Sequence, residues 1–183
     1  MLILNSLYKF GSRPTCLRGK VLIRCNHDMK ELQSFYNDYV QAFVTGDMLK
    51  VSTSFYRAPV LVNSYQVVEN KSIRVTLVTA NIIQHTFQDL INNLKSRGYS
   101  GRSDMEPIKV TNMTSSSSMI QTKGTRYHTN GSVLEYINAS YIVEKFDAEV
   151  KVDGAEGVTA VDRVGDHDWR ITAVYGETTL PIE

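Results

Sequence analysis

The stretch YVQAFVTGDM, residues 39–48, decides the fold of this 183-residue chain. Apolar residues recur at helical spacing from Leu32 to Phe43, which indicates a helix with one buried face. Gly46 is typical of a helix end, and Asp47 is a typical N-cap for a new helix. The sequence therefore predicts a first helix, a tight corner, and a short second helix through MLKVSTSF.

The start of the first helix is predicted from DMKE, in which Asp28 and Glu31 have the spacing of a capping box. Residues 1–27 contain five basic residues and no acidic one. We interpret residues 1–28 as a basic, flexible leader, or as a transit peptide that would direct the protein to an organelle. The domain is predicted to cover residues 29–178, with a C-terminal tail over residues 179–183.

The composition is that of an ordinary globular domain, with 42% hydrophobic and 21% charged residues and a net charge of +1. This charge does not favour nucleic acid as a partner, and no apolar run is long enough to span a bilayer. The two cysteines form neither a disulfide framework nor a metal motif. We therefore predict a cytoplasmic protein with no cofactor, no metal, and no nucleic-acid or membrane partner.

The second half of the chain changes from helical to β-rich patterns. APVLVNSYQVVEN predicts a hairpin with its turn at Asn63-Ser64, and a third helix follows, capped at Thr79 and ending at Gly98. The later β-rich runs include SMIQTKGTRYH, SVLEYINASYIVEK, GVTAVDRV and DWRITAVYG, and Asn130-Gly131 is the sharpest hairpin signal. Helices followed by an antiparallel meander predict an α+β fold, with the helices packed on one face of a curved sheet.

The TGDM corner, the FYRAPV strand and the closing NASYIVEK and DHDWRITAVYG runs resemble the NTF2-like superfamily in its SnoaL-like branch. The resemblance covers about residues 29–177, and NNLKSRGY is similar to a subgroup of unassigned chemistry. It implies a cone formed by a curved, mostly antiparallel sheet, with three helices on its concave face. It also implies a homodimer through the outer sheet face. Members include steroid isomerases, polyketide cyclases, dehydratases and transport adaptors, so the fold leaves the function open.

The resemblance suggests some catalytic candidates and weakens others. Tyr39 matches the position of the tyrosine that stabilises an oxyanion in the steroid isomerases. A tyrosine of the hydrophobic core would occupy the same position on the buried face of the helix. Asn63 stands where those enzymes carry their base, and an amide cannot abstract a proton. The other candidates for a base are His128 in TRYH and Asp162 in the apolar run VTAVDRV. DHD at residues 166–168 is interpreted as a turn.

Three functions stay open, and the pocket would distinguish them. Binding of a small, mostly apolar molecule predicts an open cavity without a desolvated acid or base. A cofactor-independent isomerase, cyclase or dehydratase predicts a buried acid beside Tyr39. A dimeric interaction module predicts a closed cone, with Ile120 and Ile137 exposed on the outer sheet face. The predicted ligand-binding residues are Tyr39, Phe43, Tyr56, Asn63 and Arg126.

Overall fold

The computed structural model describes residues 21–66, 71–114, 116–146 and 168–181, so Asp162, the run GVTAVDRV, Asp166 and His167 lie outside the described residues. The helices are α1 (Val21–Thr45), α2 (Met48–Lys50), which a π-helical turn (Val51–Phe55) continues, and α3 (Ala80–Ser96). The strands are β1 (Tyr56–Gln66), β2 (Lys71–Leu77), β3 (Tyr99–Met105), β4 (Lys109–Asn112), β5 (Ser117–His128), β6 (Val133–Lys145) and β7 (Trp169–Thr179).

The TGDM corner has the predicted geometry. Gly46 adopts φ = +81°, a left-handed conformation that glycine reaches without steric cost. The Asp47 side chain then accepts a hydrogen bond from the Lys50 amide at 3.0 Å, as an N-cap does. The corner folds α2 and the π-helical turn back against α1, so that the ring centroids of Phe35 and Phe55 lie 5.5 Å apart.

The predicted helix starts are confirmed for α3 and wrong for α1. The Thr79 hydroxyl accepts a hydrogen bond from the Ile82 amide at 3.2 Å, which caps α3. Helix α1 begins at Val21, so Asp28 lies inside the helix and is not its N-cap. Residues 21–27 contain neither glycine nor proline, and adding residues to an existing helix costs far less than nucleating one.

The strands form one seven-stranded sheet among the described residues, in the order β2-β1-β7-β6-β5-β3, and β4 also pairs with β5. Strands β1 and β7 run parallel, and the other pairs are antiparallel. This confirms an α+β, NTF2-like fold with a curved, open and mostly antiparallel sheet. The chain's last described strand lies in the middle of that sheet.

The predicted hairpin turn at Asn63-Ser64 was wrong. Strand β1 runs straight through Asn63 and Ser64, which pair with Arg74 and Ile73 of β2. Hydrogen bonding on both sides, to β2 and to β7, holds these residues extended despite their turn propensity. The sequence YSGRSDM forms strand β3, whose mostly polar side chains do not show the apolar alternation typical of a strand.

Ile120 and Ile137 do not have the exposed outer positions that the interaction-module hypothesis requires. Ile120 is fully buried, and Ile137 is packed against the core. Side chains alternate along a strand, so these residues share the concave face with their cross-strand partners Tyr141 and Gly124. An apolar outer patch built on Ile120 and Ile137 is therefore excluded, and dimerisation through the outer face stays a prediction.

Within the described ranges, no helix combines the length and apolar character needed to cross a membrane. The cytoplasmic location stays a prediction.

Candidate functional site

The concave face of the sheet, α1 and α3 enclose a cavity of about 280 Å³. Its walls are mostly apolar, with Val40 and Val44 from α1, Phe87 from α3, and Val62 and Val174 from the sheet. The size is near the lower end of the range for small-molecule sites. The cone is therefore open. A closed interaction module would require a cone filled by side chains.

The deep end of the cavity is formed by four tyrosines, called here the tyrosine cluster: Tyr36, Tyr39, Tyr56 and Tyr141. All four are buried. The Tyr39 and Tyr56 hydroxyl oxygens are 2.9 Å apart and share a hydrogen bond. The Tyr39 ring also lies edge-on to those of Tyr56 and Tyr141, with centroids 5.8 Å apart in each pair. The fold thus brings together tyrosine rings from helix α1, strand β1 and strand β6.

Burial determines the protonation of the tyrosine cluster. It raises the pKa of the Tyr39, Tyr56 and Tyr141 phenols well above the usual value, and it raises that of Tyr36 to a smaller extent. The neighbouring Tyr56 raises the pKa of Tyr39 further, whereas the positive charge of Arg126 lowers it by a smaller amount. The phenols are therefore neutral at physiological pH and can donate hydrogen bonds.

The raised pKa values predict a loss of stability at alkaline pH. The phenols ionise more readily in the unfolded chain, so their contribution to stability is complete below pH about 10 and falls as the pH rises toward the folded-state pKa values. Urea unfolding at several values between pH 8 and 11 should show this fall, and Tyr141→Phe should reduce it. Tyr136→Phe, on an exposed side chain, is the matched control. A fall equal in wild type and Tyr141→Phe would contradict the assignment.

A second polar group, the arginine–glutamate cluster, consists of Arg97, Arg126 and Glu135. Arg126 and Glu135 are directly opposite each other on β5 and β6, and Arg126 Nη1 donates to Glu135 Oε1. Arg97 Nη2 lies 2.8 Å from Glu135 Oε2. The Glu135 side chain is 4% exposed, and those of Arg126 and Arg97 are 13% and 39% exposed. The cluster therefore extends from the cavity wall to its mouth.

Arg126 is held between an acid and an aromatic ring. Its guanidinium carbon lies 5.4 Å from the Phe43 ring centroid, within the range of a cation–π contact. Its Nε is buried and has no hydrogen-bond partner among the residues that the structure describes. A buried donor left without an acceptor costs about 1–3 kcal/mol or more. Arg126 thus offers a donor that a bound molecule would satisfy.

Most of the predicted ligand-binding residues line this cavity: Tyr39, Phe43, Tyr56 and Arg126. Asn63 does not line it. Val62 and Ser64 take the inward positions, so Asn63 points to the outer face, in a shallow depression beside Tyr175 and Asn138.

His128 does not line the cavity. It lies two residues beyond Arg126, at the end of β5, and strand geometry places it about 7 Å farther along. There it packs beneath the turn after α3, where a Cβ on Gly98 would lie 2.9 Å from His128 Nδ1. Asp162 lies outside the described residues, so its role as a base stays a prediction.

Tyr36, Tyr141, Arg97 and Glu135 were not predicted as site residues. Tyr36 precedes Tyr39 by one helical turn on the same buried face, which was a usable signal. Counting outward from the Asn130-Gly131 turn pairs Arg126 with Glu135, as the structure does. No sequence signal leads to Arg97, because its place depends on how the end of α3 lies over the sheet.

Solved structures of several proteins share this fold. A domain of unknown function with a cystatin-like fold from Nostoc punctiforme is 14% identical with a TM-score of 0.56, over 85% of this chain and 80% of that one. A ketosteroid isomerase-like protein from Erwinia carotovora atroseptica is 12% identical with a TM-score of 0.54, over 85% and 99%. An NTF2-like protein of unknown function from Shewanella oneidensis is 11% identical with a TM-score of 0.52, over 82% and 98%.

Sequence comparison identifies the family. No curated protein matches the chain. Residues 30–158 match the model of a family described as NTF2-like protein (DUF6841). This match covers most of the chain and includes α1 from residue 30 onward, the tyrosine cluster and the arginine–glutamate cluster. The chain is therefore a member of the NTF2-like family DUF6841.

Proposed function

We propose that this protein binds a small, mostly apolar molecule in the cavity of its cone. The observation that carries the proposal is an open cavity of about 280 Å³ with mainly apolar walls and few polar side chains. Such a combination is typical of small-molecule sites, in which apolar area supplies affinity and a few polar groups fix orientation. The size of the cavity restricts the ligand to a small molecule.

The tyrosine cluster would orient the ligand. Tyr39 and Tyr56 are neutral and share one hydrogen bond, and Tyr39 also interacts with Tyr141, so a ligand oxygen would accept from a hydroxyl of this hydrogen-bonded group. A carbonyl or hydroxyl oxygen of the ligand fits this donor. In an apolar environment such a hydrogen bond also discriminates strongly against ligands without the oxygen.

An isomerase, cyclase or dehydratase without a cofactor is the second candidate, because a buried acid and a tyrosine pair line one cavity. However, both Glu135 oxygens are bound by guanidinium groups, so neither is free to take a proton from a ligand. The cavity thus contains the buried acid expected for an enzyme and not for a binding site, but its ion pairs prevent it from acting as a base, and for this reason we favour binding without chemistry. The ketosteroid isomerase-like relative supports the enzyme alternative only through its fold.

Tyr39→Phe tests the proposed function. We expect native mass spectrometry of the protein purified from its own host to show a co-purifying small molecule. Loss of a neutral hydrogen bond should weaken its binding about two- to tenfold in Tyr39→Phe. Tyr136→Phe, on the outer face, should retain it. Absence of any bound molecule, or equal retention in both variants, would contradict the proposal.

Deuterium exchange would distinguish the two candidates. The co-purified molecule is incubated with the protein in D₂O, and its mass is followed. Under the binding proposal the mass does not change, whereas deuterium incorporation at carbon or a change in composition would establish proton abstraction or turnover and favour the enzyme.

A further inference from the structure

The charges around the cavity do not balance. Four charged residues line it: Arg97, Arg126, Glu135 and Glu177. Glu177 is exposed, and alternation along β7 turns its side chain to the outer face of the sheet, where solvent and salt screen its charge. The arginine–glutamate cluster then carries two positive charges against one buried negative charge. The excess positive charge lies on Arg97, at the partly exposed end of the cluster, and a singly negative group on the ligand would complete the charge balance there.

The cluster also has donors in the right place. Arg126 uses Nη1 for Glu135, and its Nε is buried without a partner among the described residues. Arg97 approaches the other Glu135 oxygen from the mouth of the cavity. Because Glu135 engages both guanidinium groups, it fixes their positions and leaves part of each planar fork for another acceptor.

We propose that the ligand is a small monocarboxylate with an apolar body, whose carboxylate binds Arg97 and Arg126 while a second oxygen accepts from the tyrosine cluster. A carboxylate matches the planar guanidinium fork and the single excess charge, whereas a doubly charged phosphate would leave a negative charge buried. This inference rests on the proposed function and adds the chemical class of the ligand.

The test uses two probes of nearly the same shape, 2-naphthoate and its neutral amide, 2-naphthamide, in which an NH₂ group replaces one carboxylate oxygen and the negative charge is lost; affinities are measured by isothermal titration calorimetry. In the wild-type protein 2-naphthoate should bind about tenfold more tightly than the amide or better, as expected for a charge-assisted hydrogen bond. Arg97→Gln should abolish most of this preference, because it should weaken 2-naphthoate much more than the amide. Arg97 is partly exposed, so its replacement leaves the buried Arg126–Glu135 pair intact.

Two further variants keep the test specific. Arg102→Gln removes the same charge from an exposed side chain that pairs with Asp104 outside the cavity, and it should retain the wild-type preference. Arg126→Lys keeps a positive charge for Glu135 but has no Nε donor at that place, and it should weaken 2-naphthoate severalfold more than the amide.

The outcomes separate this inference from the proposed function. Equal affinities for the two probes, both reduced by Tyr39→Phe, would overturn the carboxylate inference and support the binding cavity. A preference for 2-naphthoate that persists in Arg97→Gln and Arg126→Lys would place the anion elsewhere, and would also overturn the inference. Failure of both probes to bind at millimolar concentration would count against the inference and the proposed function together.

Discussion

Glu135→Leu should lower the free energy of unfolding by about 3–5 kcal/mol, because it removes the only counter-charge that contacts Arg126 among the described residues. Arg126 is mostly buried and cannot turn its guanidinium group to water without disturbing the cavity wall. Arg97, which is partly exposed, can move toward solvent. The penalty should therefore fall mainly on Arg126.

The control for Glu135→Leu is the double variant Glu135→Leu/Arg126→Met. Replacing both members of a buried ion pair with apolar side chains is often neutral or stabilising. We therefore expect urea denaturation to show that the double variant recovers most of the stability lost in the single one. If the double variant were no more stable than Glu135→Leu, the loss would come from the shape of the leucine and not from an unpaired Arg126.

Phe55→Ala should also lower the free energy of unfolding by a large amount, about 3–5 kcal/mol. Phe55 is 1% exposed, at the end of the π-helical turn. Its ring centroid lies 5.5 Å from that of Phe35 and 5.7 Å from that of Tyr39. Truncation would remove both contacts and leave a void behind the tyrosine cluster, since the surrounding helix and sheet can collapse into it only in part.

Leu49→Ala is the matched control for Phe55→Ala. Leu49 is 59% exposed, in the same short helical segment, and its truncation should change stability by less than about 0.5 kcal/mol. Thermal and urea unfolding of both variants would check the comparison. Similar small losses for the two variants would show that Phe55 does not anchor the segment to the core.

Features encoded by local chemistry could be predicted from the sequence. Gly46 and Asp47 form the corner because a left-handed glycine and an N-cap carboxylate act within a few residues of themselves. Thr79 caps α3 for the same reason. Tyr39 and Phe43 belong to the buried face of α1 because the helical period alone places them there. Arg126 lies in the cavity, as predicted, although the strand pattern did not state which face of the sheet lines it.

Features that depend on distant partners could not be predicted in this way. Asn63 has turn propensity, yet pairing with β2 and β7 holds it extended. Because side chains alternate along the strand, its side chain points to the outer face. The alternation around Ile137 shows which residues of its strand share a face of the sheet. It does not show which of the two faces the helices cover. The polar β3 is a strand because β5 pairs with it. Only the register of the β5–β6 hairpin was within reach, and it would have revealed Glu135.

The position of β7 between β1 and β6 also affects how the protein can be assembled. During synthesis, β1 and β2 are made early and β3 to β6 follow, but the strand that joins these two parts comes after residue 168. The rings of Tyr56 and Tyr141 lie on opposite sides of that strand in the sheet. The sheet that holds Tyr56 and Tyr141 in one cluster is therefore complete only after the ribosome has released residues 169–179. Contacts of such long sequence separation favour slow folding, and until then the inner face of each part is open to solvent and to chaperones.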